Sequence, residues 1–288
     1  MRRLKVILSI DGGGIRGILP LQVLNYLDTA IRKNSISETI NEAISLMAGT
    51  STGAIISSAL MLEQNQNYLF SPKDLLKLYE NRGSQIFQKD RPNNENPLKL
   101  ILENNFGSIR MSDLRKCFVF ASYDERTKSP FLFTSRMEHY RNVSLSKVLL
   151  ACSAVPEYFQ PVELGGHLLS DGIQTAKNPS LFAYQHAKAY YPNDLFLLLS
   201  IGTGKLPLSM YDDIERKTDE THQQLVELSK KEDNLIYYRV QPEIKNANPE
   251  MDDTSSENIK ALLDDGKIYV ANERDYLDAI VNEWKNYT

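Results

Sequence analysis

Residues Ile44–Leu62 read ISLMAGTSTGAIISSALML. An apolar run, Ile44–Ala48, enters Gly49-Thr50-Ser51-Thr52-Gly53 and leaves as an almost wholly apolar stretch, Ala54–Leu62. The first run predicts a buried strand, the second a deeply buried helix. Strand, turn and helix form the context in which Gly-x-Ser-x-Gly carries chemistry. Gly49 and Gly53 clear space around a sharp turn. That turn lifts Ser51 to the carboxyl edge of a sheet and the N-terminus of a helix, where the dipole and open N–H groups stabilise negative charge. A serine so placed can attack an acyl carbonyl. The same letters also suit a plain strand-to-helix turn, so the surrounding chain has to decide.

Upstream, Leu4–Ile10 is a second apolar run and predicts a strand. It opens into Asp11-Gly12-Gly13-Gly14-Ile15-Arg16-Gly17, and apolar residues at 18, 21, 24, 27 and 31 then predict a helix over Ile18–Arg32. Successive glycines let backbone N–H groups converge on one point, an anion-binding nest. An oxyanion hole uses such a nest, and so does a phosphate cradle. No Gly-Lys-Ser/Thr follows, so this is not a P-loop. Gly12, Gly14 and Gly17 do fit Gly-x-Gly-x-x-Gly. The acidic residue a dinucleotide site needs about 20 residues on, at a second strand end, is missing: Asp28 falls inside the predicted helix and Glu38 precedes another helical stretch.

Downstream, Ser71-Pro72-Lys73-Asp74 predicts a helix start and Asp90–Pro97 a loop. Phe118–Ser122 and Phe131–Thr134 predict strands around a turn at 124–130, and Ser144–Ala154 a helix. Leu168–Leu169 ends at Ser170-Asp171-Gly172, and Leu195–Ile201 ends at Gly202-Thr203-Gly204. Strands alternating with helices predict an α/β fold with a mainly parallel sheet. Of the chain's 33 basic and 37 acidic residues, 206–288 carry 10 and 19. The composition therefore divides a mildly basic body, 1–205, from an acidic, mostly helical segment, 206–288, packed on or covering it. The net charge of −4 argues against a nucleic-acid polymer as partner, and two cysteines exclude a disulfide framework.

A serine nucleophile needs a base. His139 and His222 lie in charged surroundings and His186 in a helical stretch. His167, after Gly165-Gly166, is the best placed of the four histidines. Asp171 stands at a strand end in a tight turn. It is either a turn residue or a carboxylate able to take the serine proton directly.

Taken in order, Asp11–Gly17, Gly49–Gly53 and Asp171-Gly172 resemble the patatin-like phospholipase family. Ala151-Cys152-Ser153-Ala154-Val155-Pro156-Glu157-Tyr158-Phe159 and Ser200–Gly204 fit as well, and the resemblance covers about residues 4–205. It implies a three-layer α/β/α fold and lipid acyl hydrolysis by a Ser–Asp dyad without histidine, metal or cofactor. Carried over by position, Ser51 is the nucleophile and Asp171 the base. Gly12, Gly13, Gly14 and Gly17 form the loop whose amides, those of Gly13 and Gly14 foremost, hold the oxyanion. Arg16 beside them either orients the glycines or meets a phosphate headgroup. The family has Gly or Ala after Asp-Gly, where this chain has Ile173, whose side chain either points away or narrows the site.

The resemblance implies a phospholipid or other acyl-lipid substrate met at a membrane surface. Stretches 63–97 and 124–143 are the expected rim, with Tyr68, Leu69 and Phe70 as candidate interfacial anchors. No run of eighteen apolar residues exists, and Val6–Ile10 is too short for a signal-peptide core, so a cytoplasmic protein, peripheral to the membrane, is expected. Acyl transfer by the same serine, phosphate binding by the glycine loop, and a small nucleotide activator or homo-oligomerisation are the other expectations.

Overall fold

Along Leu4–Ile10 (β1), Val6, Leu8 and Ile10 pack into one apolar cluster while Ile7 packs into another. The same alternation divides Leu197, Leu199 and Ile201 from Phe196 and Leu198 on Leu195–Ile201 (β9). A strand shows its two faces at period two, so a strand apolar at every position is covered on both sides. Each fully buried leucine or isoleucine contributes about 1.5–3 kcal/mol. Three layers follow directly.

A computed structural model describes residues 2–86, 97–156 and 159–287. The remaining strands among these residues are β2 (Leu46–Thr50), a small hairpin of β3 (Glu63–Gln64) and β4 (Asn67–Tyr68), β5 (Cys117–Asp124), β6 (Ser129–Thr134), β7 (Val162–Leu164), β8 (His167–Asp171) and β10 (Leu235–Val240). The helices are α1 (Ile18–Lys33), α2 (Ile40–Ala43), α3 (Thr52–Met61), α4 (Pro72–Ile86), α5 (Pro97–Phe106), α6 (Leu145–Ser153), α7 (Ile173–Ala176), α8 (Ser180–Tyr190), α9 (Asp213–Lys231), α10 (Ser256–Asn272) and α11 (Arg274–Lys285). The expected loop at Asp90–Pro97 lies, but for Pro97, outside the described residues, as do Glu157 and Tyr158.

The main sheet has a parallel half in the order β10-β9-β1-β2-β5. Helices α1, α3, α4, α10 and α11 cover one face; α8 and α9 cover the other. Beyond β5 the sheet turns antiparallel. β6 pairs with Val119–Asp124 and β8 with Ser122–Asp124 of β5, while β2 pairs with Cys117–Ala121. A strand has two edges. β6 overlaps both β2 and β8 along β5, so β2 and β8 share the other edge and meet there end to end.

Residues 206–288 contribute an edge strand as well as helices. β10 runs parallel to β9 from Leu235↔Phe196 to Val240↔Ile201, and α10 packs along α1.

Candidate active site

The meeting of β2 and β8 builds the site. Thr50, the last residue of β2, stands opposite Ala121, and Asp171, the last of β8, stands opposite Ser122. Consecutive residues of β5 are about 3.3 Å apart along the strand. β2 therefore runs head-on into the end of β8, and the chain has to leave the sheet at Ser51. It does so at φ 53°, ψ −123°, a conformation L-residues rarely adopt, and enters α3 at the next residue. Ser51 is 6% exposed and Asp171 fully buried.

Two close approaches make this turn possible. A Cβ on Gly49 would lie 2.2 Å from the Gly53 carbonyl carbon, and one on Gly53 2.2 Å from the Ile10 carbonyl oxygen. Helix α3 thus rests directly on the ends of β1 and β2.

Asp171 is held by its backbone and by one carboxylate oxygen. Its N–H donates to the Ala154 carbonyl (2.9 Å), and Oδ1 accepts the Ile173 N–H (2.8 Å). Cys152 is buried near it, and burial, aided by the Asp171 charge, pushes the Cys152 thiol well up. Part of the Ala151–Phe159 stretch therefore packs around Asp171.

The glycine loop crosses the same sheet edge. A Cβ on Gly12 would lie 3.3 Å from Thr50 Cγ2 and 3.5 Å from Ile173 Cδ1. The Ser51 turn, the Asp171 turn and the loop converge there. Ile173 packs against the loop and does not point away from it. The Gly12 N–H donates to the Lys177 carbonyl (2.9 Å), the Ile15 N–H to the Met251 carbonyl (3.0 Å) and the Arg16 N–H to the Gly13 carbonyl (3.1 Å). Among the described residues, the N–H groups of Gly13 and Gly14 have no hydrogen-bond partner. Gly17 packs against Thr52 and Tyr79, whose hydroxyls hydrogen-bond each other.

Arg16 is 1% exposed, and its Nε donates to the Gly13 carbonyl at 3.4 Å. The enclosed side chain is thus seated against the glycine loop. Burial lowers its pKa, opposed by the charges of Glu215, Glu250 and Asp11. Asp11 takes two hydrogen bonds from Arg239 of β10, at 2.9 and 2.5 Å. Burial pulls the Arg239 pKa down, but Asp11 outweighs it and the net shift is upward. Lys177 pairs with Glu215, both buried. Sequence reading missed Arg239, Glu215, Lys177 and Met251. All are distant in the chain from the loop they support, and none belongs to a motif.

The other predicted residues fall elsewhere. His167 Nδ1 bonds Asp124 Oδ2 at 2.7 Å, at the opposite end of β8 from Asp171, four residues or about 13 Å away. His186 meets Ser135, and His222 meets Tyr237. Tyr68, Leu69 and Phe70 follow the end of α3, where the Leu69 N–H donates to the Leu62 carbonyl. The ten residues of α3 put them about 15 Å from Ser51, and Leu69 is 44% exposed. Beyond the carboxyl ends of β9 and β10, a cleft of about 710 Å³ is lined by Tyr211, Tyr237, Arg239, Tyr269 and Tyr276 among others. Ser51 and Asp171 do not line it.

The model of the family described as patatin-like phospholipase matches residues 8–183, which hold the loop, the serine turn and Asp171. The chain belongs to the patatin-like phospholipase family. Patatin-like protein 2 of Arabidopsis thaliana is 27% identical over 244 residues, 70% of this chain and 60% of that protein. Patatin-17 of Solanum cardiophyllum is 26% identical over 231 residues, 69% of this chain and 60% of that one. This patatin-like chain thus spans about three fifths of these relatives' length. A Solanum tuberosum relative, 25% identical over 69% of this chain and 62% of its own, carries the word inactive in its name, so membership of the patatin family does not by itself give activity. The structure of human GIVD cytosolic phospholipase A2 in complex with methyl gamma-linolenyl fluorophosphonate superposes over 98% of this chain and 60% of that one, with TM-score 0.52 and 10% identity. That likeness establishes the α/β fold with its mainly parallel mixed sheet. Among the described residues, no helix is long and apolar enough to cross a membrane.

Proposed function

We propose that this patatin-family chain hydrolyses fatty acyl esters of phospholipids, with Ser51 as nucleophile and Asp171 as its base. The observation that carries the reading is the end-to-end meeting of β2 and β8 on β5, which sets the turn of the strained serine next to the strand end that carries Asp171. Asp171 takes the Ser51 proton as Oγ attacks the ester carbonyl. The N–H groups of Gly13 and Gly14 hold the oxyanion. The alcohol leaves with a proton returned from Asp171. Water, activated by the same carboxylate, then releases the fatty acid from Ser51. No histidine takes part.

The loop favours an oxyanion over a phosphate. The N–H groups of Asp11, Gly12, Ile15 and Arg16 already donate within the protein. Two amides suit one alkoxide oxygen, whereas cradling a phosphate draws on more donors.

A fluorophosphonate probe followed by peptide mapping tests the reading. The expected label sits on Ser51. Ser51→Ala should remain folded by circular dichroism and lose at least about a thousandfold in fatty acid release from phosphatidylcholine vesicles. Asp171→Asn should lose a comparable amount. A label on another residue, or undiminished release by Ser51→Ala, overturns the assignment.

A further inference from the structure

We propose that Thr203 is a positioning residue for the oxyanion loop: its hydroxyl holds the Gly12 carbonyl and thereby aims the Gly13 N–H toward Ser51. The inference rests on the dyad reading above and extends it beyond residue 183, where the family match ends.

The argument runs through peptide planes. A trans peptide is planar, so its C=O and the following N–H point in opposite directions. Fixing the carbonyl of one residue therefore fixes the direction of the next residue's amide. Four consecutive planes make up the loop from Asp11 to Ile15, and each is pinned by a different bond. The Gly12 N–H donates to the Lys177 carbonyl, which holds the first plane. Thr203 Oγ1 donates to the Gly12 carbonyl at 2.6 Å, which holds the second. The Gly13 carbonyl accepts from Arg16, which holds the third, and the Ile15 N–H donates to the Met251 carbonyl, which holds the fourth. The outer two planes are pinned through their N–H groups. The inner two are pinned through their carbonyls alone, and that leaves the Gly13 and Gly14 amides to face a ligand.

Topology supplies the direction. Thr203 follows β9, which lies on the opposite side of β1 from β2. The Gly12 carbonyl turns toward the β9 side to meet Thr203. The Gly13 N–H therefore turns toward the β2 side, where Ser51 stands. Thr203 is fully buried, and a Cβ on Gly13 would lie 2.2 Å from its Oγ1 and 2.6 Å from its Cβ. The hydroxyl is thus seated directly against the loop.

Three variants separate orientation from mere packing. Thr203→Val keeps the shape and loses the O–H; Thr203→Ser keeps the O–H and loses a methyl; Thr203→Ala opens space beside Gly12. Kinetics on a soluble p-nitrophenyl acyl ester, the fluorophosphonate inactivation rate and thermal unfolding are measured on the full chain. Thr203→Val and Thr203→Ala should lower kcat and the inactivation rate about ten- to a hundredfold, less than removing an oxyanion donor outright. KM should stay within about twofold, as for an interaction made in the transition state. Thr203→Ser should recover to within about threefold of wild type in both rates, even if its melting temperature is as low as that of the valine variant. If Thr203→Val fails to fold, the alanine and serine pair reads the same contrast. Full kcat in Thr203→Val or Thr203→Ala overturns the proposal, and so does an equal loss in Thr203→Ser. Ser51→Ala is run alongside. Its inactivity together with full kcat in Thr203→Val rejects the role of Thr203 alone, whereas its continued activity rejects the dyad reading on which that role rests.

Discussion

Ser51 holds a backbone conformation that favours glycine, and this strain belongs to the residue and not to its hydroxyl. Ser51→Gly should therefore be more stable than Ser51→Ala by about 1 kcal/mol, or about 2 °C in melting temperature for a chain of this size. Equal melting temperatures for the two variants reject the strain. Gly14 is the converse case: φ is +56°, and a Cβ there would lie 2.1 Å from the Met251 carbonyl oxygen. Gly14→Ala should cost at least about 2 kcal/mol in urea unfolding, from the strained φ and the overpacked contact together. At this scale the sequence was most informative through the ordered set of a triple glycine, a Gly-x-Ser-x-Gly turn and Asp171-Gly172, since each motif alone left other readings open. It left two roles open for Arg16 and gave no sign of its burial, where the neighbouring charges include Glu215 and Glu250, far along the chain.

At the scale of elements, two carboxylates pin turns that would otherwise lack partners for their N–H groups. Asp265 of α10 accepts from the backbone of Lys245, Asn246 and Ala247, and so ties down the segment that carries Met251. Asp265→Ala leaves those amides unsatisfied. It should cost about 2–4 kcal/mol and speed limited proteolysis near 245–251; unchanged cleavage there rejects the tie. Asp124 accepts from His167, Arg126, Thr127 and Leu168 at the end of β5. Burial alone would raise its pKa, but these bonds outweigh burial and bring it down to about 2. A carboxylate with a depressed native pKa stabilises the fold above its unfolded value, near 3.9, and loses that contribution as pH falls through the native one. The melting-temperature gap between wild type and Asp124→Asn should therefore be full at pH 6, shrink below about pH 4 and close toward pH 2. A gap constant across that range rejects the assignment. The strands at Leu4–Ile10 and Leu195–Ile201 were legible as largely apolar runs, broken only by Lys5 and Ser9 in the first and Ser200 in the second. β10 was not: its LIYYRV is buried only at its two ends, Leu235 and Val240, lies at a sheet edge and sits in an acidic, helix-rich stretch that masks it.

For the whole molecule, composition divided the chain near residue 205, but packing joins the two sides. β10 extends the sheet, α10 lies along α1, and Arg239 supplies the countercharge for buried Asp11. A chain cut after Lys205 leaves Asp11 without that partner and strips the apolar face of α1. It should fail to give a cooperative thermal transition, whereas the full chain gives one. A sharp transition in the shortened chain rejects this coupling. The end-to-end meeting of β2 and β8 was beyond sequence reading, because register between strands more than a hundred residues apart leaves no local mark. The bond from Ile15 to the Met251 carbonyl has a consequence in time. A ribosome delivers the Ser51 turn and the triple glycine on the order of ten seconds or more before residue 251. A nascent polypeptide thus holds its serine early and the last brace of its glycine loop late, so the proposed activity is expected to switch on only after the acidic segment has been translated and docked.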